Sequence, residues 1–371
     1  MAKKLYVGVN GIARQVNNIY VGVNGVARKV IKGYVGVGGV ARPFWTGGQP
    51  TYFGKAENLS VNRTNMASNS IGNYVVFAGG GTVGYGTYNT VDAYNNNLVH
   101  TIPTPLTTDR TNVMSGNTGN YILFAGGSSR EYGILTEVDA YNSSLSKTQA
   151  TNLSNQPYAG GNVSSYALFP NSSSTDTYNT SLTRTQSQKL SLPSSGLTNS
   201  SMSNYSLFGG GSVDSDNSIV QAYNSSLTLQ TIDPLYQGRQ CIGTTLNTYF
   251  LFAGGRWSSG ETANVDVYDS SLTKVSQSVS CGKVNQFGVG ALENYTFFAG
   301  GANNNITTTV LNSSLVLSNS EDLSQGRTFL TGGVINNYAL FAGGTVSSNT
   351  YSYNCLLYTS PSPRDTERSR M

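Results

Sequence analysis

The sequence predicts an all-β fold: a seven-bladed β-propeller preceded by short β-hairpin repeats. Three observations carry that expectation. A Phe followed by small residues recurs about every 44 residues from position 77 onward. A Tyr-to-Leu mark, always four residues apart, lies downstream of each recurrence. The first 45 residues carry a separate period of 14. Units of this length, each too small to bury a core alone, are the signature of stacked repeats.

The hairpin region comes first. Tyr6-Val-Gly-Val-Asn-Gly, Tyr20-Val-Gly-Val-Asn-Gly and Tyr34-Val-Gly-Val-Gly-Gly are each followed by an apolar residue, Ala and Arg, ending at Arg14, Arg28 and Arg42. Asn-Gly between two alternating runs is a strong hairpin signal, because both central residues of a type I′ turn need positive φ. Three hairpins in 45 residues are too few for a core, so residues 1–45 should need a partner. The net charge of +4 resides here: residues 1–45 hold seven Lys/Arg and no acid, leaving 15 basic and 18 acidic residues elsewhere. Residues 46–50 read as a linker.

The long period follows. Phe77, Phe124, Phe169, Phe208, Phe252, Phe298 and Phe341 are spaced by 47, 45, 39, 44, 46 and 43 residues, and most precede Ala-Gly-Gly. The second mark is Tyr94…Leu98, Tyr141…Leu145, Tyr178…Leu182, Tyr223…Leu227, Tyr268…Leu272, Leu311…Leu315 and Tyr353…Leu357. The distance from the Phe to this mark varies from 9 to 17, so a loop of variable length separates fixed strands. Each unit divides into strands a to d, with strand a following an Arg in several copies and strand b of the Asn-Tyr-Val-Val-Phe-Ala type. Strand b is apolar on both faces and must be covered on both, as a blade between two blades is.

These marks resemble the Kelch repeat over about 300 residues, although the Trp of its strand d is missing from every copy. The resemblance implies a propeller at 51–357 and little about activity, because propellers host many. Residues 51–60 look like a lone strand d that would complete the last blade and remove the open sheet edge. Residues 358–371 differ from all that precedes them, with Ser-Pro-Ser-Pro and dense charge. They read as a non-native, adapter-derived tail and are left out of the fold.

Composition narrows the function. Charged residues make up 11% of the chain, while 24 Tyr and 13 Phe argue against disorder. No run of 18 apolar residues and no signal peptide are visible, so no membrane insertion is expected. Cys241, Cys281 and Cys355 have no metal or redox spacing. Their odd number argues against a disulfide framework, with Cys241–Cys281 the pairing left open. His100 is the lone histidine and reads as a surface residue, so no metal site and no cofactor are expected, and copper sites of the galactose-oxidase kind are not supplied. A glycosidase-type carboxylate pair is not singled out by any spacing. The Asp of strand c (Asp92, Asp139, Asp176, Asp266) suggests either calcium or, more simply, a hydrogen bond to a neighbouring turn.

Binding residues are expected on one face. Strand direction alternates, so b–c and d–a loops share a face, and all the length variation falls there. That face should hold Tyr85, Tyr88, Arg130, Tyr132, Arg256, Trp257 and Glu261, with Arg63, Arg110, Arg239 and Arg327 where d–a loops enter strand a. Exposed aromatics beside polar groups suit sugar or protein recognition. The Val-Asn-Gly-Val-Ala-Arg hairpins joined to these blades resemble structural proteins of phages and prophages of Gram-positive bacteria. That resemblance implies a non-enzymatic, tail-associated protein of the virion that contacts a host-surface glycan or protein. Its basic N-terminal module would attach to virion components or form a homo-oligomer, most simply a trimer; no nucleic acid partner is expected. A bacterial Kelch-type interaction module, cytoplasmic or at the cell surface, is the alternative, and a glycan hydrolase the weaker one.

Overall fold

The computed structural model describes residues 50–359 apart from 83–85, 193–195, 212–216, 276–278, 284, 348–349 and 352–354, together with the strand residues of 6–45. Side chains are described within 52–346. The chain divides into two units, Met1–Phe53 with Tyr358–Met371, and Gly54–Leu357. In the first unit, Tyr6–Val9 pairs with Ile12–Gln15, Tyr20–Val23 with Val26–Lys29, and Gly33–Val37 with Val40–Trp45, all antiparallel. The register repeats with the sequence: Val7 stands opposite Arg14, Val21 opposite Arg28 and Val35 opposite Arg42. The Asn-Gly turns, and most of the tail at 358–371, lie outside the described residues.

The second unit is a β-propeller with almost no helix; a single 3-10 turn, Ala302–Asn304, is present among the described residues. Six blades are antiparallel sheets with strands in the order a-b-c-d, the fifth with one further short strand paired to its strand b. Their strands a are Ala67–Ile71, Met114–Asn117, Gly161–Val163, Leu197–Ser201, Gln240–Leu246 and Phe287–Leu292. Their strands b begin at Tyr74, Tyr121, Tyr166, Tyr205, Tyr249 and Tyr295. Strands c are Val91–Asn95, Val138–Asn142, Thr175–Tyr178, Val220–Asn224, Asn264–Tyr268 and Thr308–Asn312. The expected seven repeats are thereby corrected to six blades made of consecutive strands. The chain supplies only two more such strands, Thr331–Ile335 and Tyr338–Ala342, before the repeat lapses, and Tyr353 lies outside the described residues. Thr331–Ile335 packs between strand a of blade six and strand a of blade one, and its sheet continues with Cys355–Thr359 and Thr51–Lys55.

The core sits between blades. Phe77, Phe124, Phe169, Phe208, Phe252, Phe298 and Phe341 are all fully buried. In blades one to five the strand-b Phe meets the strand-c Tyr edge to face at 5.9–6.2 Å, the arrangement that ring quadrupoles favour. Blade six has Leu311 in place of Tyr, and Phe298 packs on Phe287 instead, at 5.8 Å.

The glycine pair after strand b lets one blade lock on the next. Gly79 and Gly80 have φ of +66° and +105°, and a Cβ on Gly79 would lie 2.7 Å from the carbonyl oxygen of Arg110. Only glycine permits both the conformation and the approach. Gly80 N–H then donates to Arg110 O at 2.8 Å, and Gly301 to Arg327 O at 3.0 Å. Gly344 to Arg63 O, at 3.1 Å, ties the Thr331–Ala342 pair to blade one by the same bond.

Candidate functional site

The four arginines expected among the ligand readers are corrected first: they are framework. Arg63, Arg110, Arg239 and Arg327 are 0–1% exposed. Arg63 reaches Asp92 at 2.5 Å, Arg110 reaches Asp139 at 2.5 Å, and Arg239 reaches Asp266 at 2.8 Å. The same guanidinium groups donate to the strand-b carbonyls of Phe77, Phe124 and Phe252, and Arg327 donates to Gly343 O at 3.1 Å. Each Asp also accepts the backbone N–H three residues before the Arg position: Ser60 on Asp92, Thr107 on Asp139, Ser154 on Asp176 and Tyr236 on Asp266, at 2.7–3.0 Å. The recurrent Asp is a clasp that holds the d–a segment against its own blade.

Strand d supplies a second cation. Lys147 lies 3.0 Å from Asp139, Arg184 4.0 Å from Asp176 and Lys274 2.7 Å from Asp266. In blade one that position is His100, 2.7 Å from Asp92 and stacked on Tyr94 at 4.8 Å. His100 is therefore no surface residue: its side chain is 7% exposed. Its hydrogen bond to the Asp92 carboxylate raises its pKa against the opposing pull of burial. For Asp92 burial works upward, but the His100 bond and the Arg63 charge prevail and bring it to about 2. Cys241 and Cys281 are both buried free thiols, which closes the pairing left open.

The c–d turns are nearly identical in all six blades. Leu98, Leu145, Leu182, Leu227, Leu272 and Leu315 each adopt φ of 59–67°, a conformation a leucine rarely takes. It is held because the Asn (Asp269 in blade five) accepts two backbone N–H bonds across the turn, as Asn142 does from Ser144 and Ser146 at 3.0 Å. The Leu side chain packs on the core between blades. The Asn-x-Ser matches are turn chemistry of this kind.

The b–c connections differ in every blade, and they share their face with the d–a segments. Thr64 bridges Gly81, Thr111 bridges Ser128 and Thr328 bridges Thr345. Beyond these bridges, blade one adds the ribbon Gly81–Thr82 with Gly86–Thr87, and blade two adds Ser128–Ser129 with Gly133–Ile134. Blade five extends strand b to Trp257, which turns back on Gly260–Glu261.

Two clefts open here. One, of about 360 Å³ between blades one and two, is lined by Thr64, Thr82, Thr87, Thr111, Ser129 and Arg130, among others. Behind it, Asp109 accepts hydroxyl bonds from Thr87 and from Ser129, the latter at 3.4 Å. The other, of about 270 Å³ between blades five and six, is lined by Arg256, Asn285, Gln286, Phe287 and Phe329.

The expected readers fall out as follows. Arg130 lines the first cleft, and Tyr132, further along the same blade-two ribbon, is 61% exposed; its hydroxyl bonds to Glu131, which raises its pKa. Tyr88 is half-buried at the base of the ribbon, with its N–H on Gly80 O and its carbonyl accepting from Arg110 N–H. Tyr85 lies outside the described residues. Arg256 lines the second cleft, while Trp257 folds over Gly260 and donates to Ser259 Oγ at 3.1 Å. Glu261 accepts from Asn285.

Sequence reasoning missed Asp109 and Phe329. Both depart from the repeat: the residue before the Arg is Asn62, Gly238 or Gly326 elsewhere, and the second residue after it is Asn65, Asn112 or Cys241 where Phe329 stands. Phe329 is 45% exposed at φ +54°, where a bulky side chain is an outlier.

The solved structure described as that of YjhT is similar to this chain, with a TM-score of 0.51 and 10% identity, covering 81% of this chain and 96% of that one. In all, 527 solved chains match, so the likeness marks a widely used fold and no activity. No protein-family model matches the sequence, and no curated protein does.

Proposed function

We propose that the chain is a non-enzymatic binding protein whose propeller presents its ligand site on the b–c face, at the cleft between blades one and two. The observation that carries this reading is the contrast between faces. The c–d turns repeat one geometry, whereas the b–c connections differ, with Arg130 lining a hydroxyl-rich cleft of about 360 Å³ and Tyr132 exposed on the same ribbon. That volume is within the range that holds small ligands. The likeness to YjhT supports a binding propeller of the Kelch kind through its fold alone.

The finer reading is a tail-associated virion protein that contacts a host-surface glycan or protein. It rests on the resemblance of the hairpin repeats and Kelch-like blades to phage structural proteins. On this reading the basic hairpins, with Arg14, Arg28 and Arg42 in one repeated register, dock the virion or form a trimer. On the same reading the strand within 51–60 closes the ring, and removing 51–60 should leave an open edge and a less stable ring.

The test is adhesion to arrayed glycans and host-derived peptides by the full chain and by Arg130→Ala/Tyr132→Ala. Loss of binding at an unchanged Tm supports the reading. Unchanged binding, or turnover of a bound glycan, contradicts it.

A further inference from the structure

The cleft of about 270 Å³ between blades five and six is a second site on the b–c face. We propose that it binds the C-terminus of a peptide ending in an apolar residue, with the terminal carboxylate on Arg256 and the terminal side chain against Phe329. This site is independent of the cleft between blades one and two.

Arg256 is the one charged residue among the described lining of the cleft. It stands opposite Glu261 in the blade-five ribbon, where cross-strand partners lie close enough to pair. Glu261 is instead engaged by Asn285, whose Nδ2 donates to it. Among the described residues the exposed Arg256 guanidinium has neither an ion pair nor a hydrogen bond. An open guanidinium fork matches a carboxylate, which it can hold with two parallel N–H bonds. Glu261 keeps the surroundings close to neutral, so recognition rests on those paired bonds and not on net charge.

Phe329 supplies the apolar half. Its ring is 45% exposed on a backbone at φ +54°. Main-chain bonds hold that backbone: its N–H donates to Gln286 O at 3.0 Å, and its carbonyl accepts from Thr64 Oγ1 at 2.8 Å. The same position is Asn65 in blade one and Asn112 in blade two, at φ 53° and 54°. Asn tolerates the left-handed region, and a bulky ring does not. The fold is therefore served by Asn, and a strained, half-exposed Phe is a feature kept where a ligand uses it.

The rest of the lining favours a peptide. Gln240 and Gln286 line the same cleft, and their side-chain amides have no partner among the described residues. Each offers a donor and an acceptor, as a peptide bond does. The register of blade five slips between Gln240 and Ile242, an irregularity of the kind that re-aims side chains beside sites. Ile242, Gln286, Phe287 and Phe329 also line a neighbouring space of about 400 Å³, which runs on to Asn65, Met66 and Thr331. A terminal residue would fill the first space, and the residues before it the second.

The experiment titrates the full chain with N-terminally labelled tetrapeptides ending in Phe or Leu, each as the free acid and as the C-terminal amide, read by fluorescence anisotropy. The free acids should bind, and the amides at least tenfold more weakly. Arg256→Gln should weaken free-acid binding at least tenfold with the Tm held. Phe329→Asn, which installs the residue of blades one and two, should do the same. Arg130→Ala/Tyr132→Ala should bind these peptides as the parent does.

Equal binding of acid and amide overturns the assignment, as does binding that ignores Arg256→Gln or no binding of either peptide. Equal binding of an amidated peptide with an internal Asp would overturn the terminal carboxylate as the anchor. Binding lost with Arg130→Ala/Tyr132→Ala and kept with Arg256→Gln would overturn this site and leave the cleft between blades one and two standing.

Discussion

Blades one, two and five differ from blades four and six in one set of residues, and the difference is informative. Where strand c carries Asp92, Asp139 or Asp266, an arginine enters strand a and a second cation sits on strand d. Where strand c carries Gln221 or Thr309, strand d carries Leu229 or Leu317 and the strand-a arginine is missing. Blade six keeps one buried cation, Lys283. It donates to the carbonyl oxygen of Thr307 at 2.7 Å, and burial lowers its pKa to about 8. The strand-c carboxylate and the strand-d cation are therefore kept or lost together, blade three included (Asp176 with Arg184), as expected when an unpaired buried charge is costly. The cation before strand a varies independently: blade three has no arginine there, and blade six keeps Lys283 without the carboxylate. The buried charges lie beneath the b–c face.

Breaking the set in one blade should have the largest effect. Asp139→Leu, which leaves Arg110 in the core with only the partly exposed Glu137 at 3.2 Å, should cost about 3–5 kcal/mol by urea denaturation. Replacing the set together (Arg110→Val, Asp139→Thr, Lys147→Leu, the residues of blade six) should cost clearly less. If the single and the triple variant lose the same stability, the clasp is not a unit. Of similar size, Phe124→Ala should cost about 3–5 kcal/mol, whereas Phe329→Ala, an exposed ring, should stay within about 0.5 kcal/mol.

Blade one gives the comparison a pH dependence. The Asp92 pKa is lowered, so its contribution is present above the unfolded value of 3.8 and is lost as pH falls towards about 2. The shift corresponds to about 2 kcal/mol. The His100 pKa is raised, so its contribution is full below 6.5 and is lost as pH rises through the folded value. His100→Gln should therefore lower the Tm at pH 5.5 and converge with the parent at alkaline pH. An offset that is equal at both ends would remove the ion pair from the account.

The smallest effect separates the two faces. Asn142→Ala removes two turn bonds and should cost about 1 kcal/mol. Tyr132→Ala, on a b–c ribbon, should cost less than about 0.5 kcal/mol.

The legible parts of this fold were those the repeat enforces. Phe77 and its six counterparts, the glycine pairs and the Tyr-to-Leu turns recur because every blade faces the same packing problem, so they could be read as an internal alignment. The arginines recur for the same reason, which fits a structural role as well as a ligand-reading one, because recurrence at the mouth of a loop does not reveal where a long side chain ends. His100 looked solitary because its equivalents are Lys147, Arg184 and Lys274, the same charge in different residues. The cleft was half visible: Arg130 and Tyr132 could be named from an unusual loop. Asp109 could not, because its role depends on Thr87 arriving from another blade. The seventh set of marks overstates the blade count, because its last members, Tyr353 and Leu357, fall where the pattern lapses.

The most direct test of one face for framework and the other for binding is a substitution scan. Each position of the b–c ribbons and of the c–d turns is changed in turn, with adhesion to a panel of Gram-positive cells and Tm read for every variant. The account predicts that variants losing adhesion at an unchanged Tm cluster at 82–88 and 128–134, while c–d variants lose Tm without a specific loss of adhesion. Adhesion-specific losses clustered in the c–d turns would contradict it.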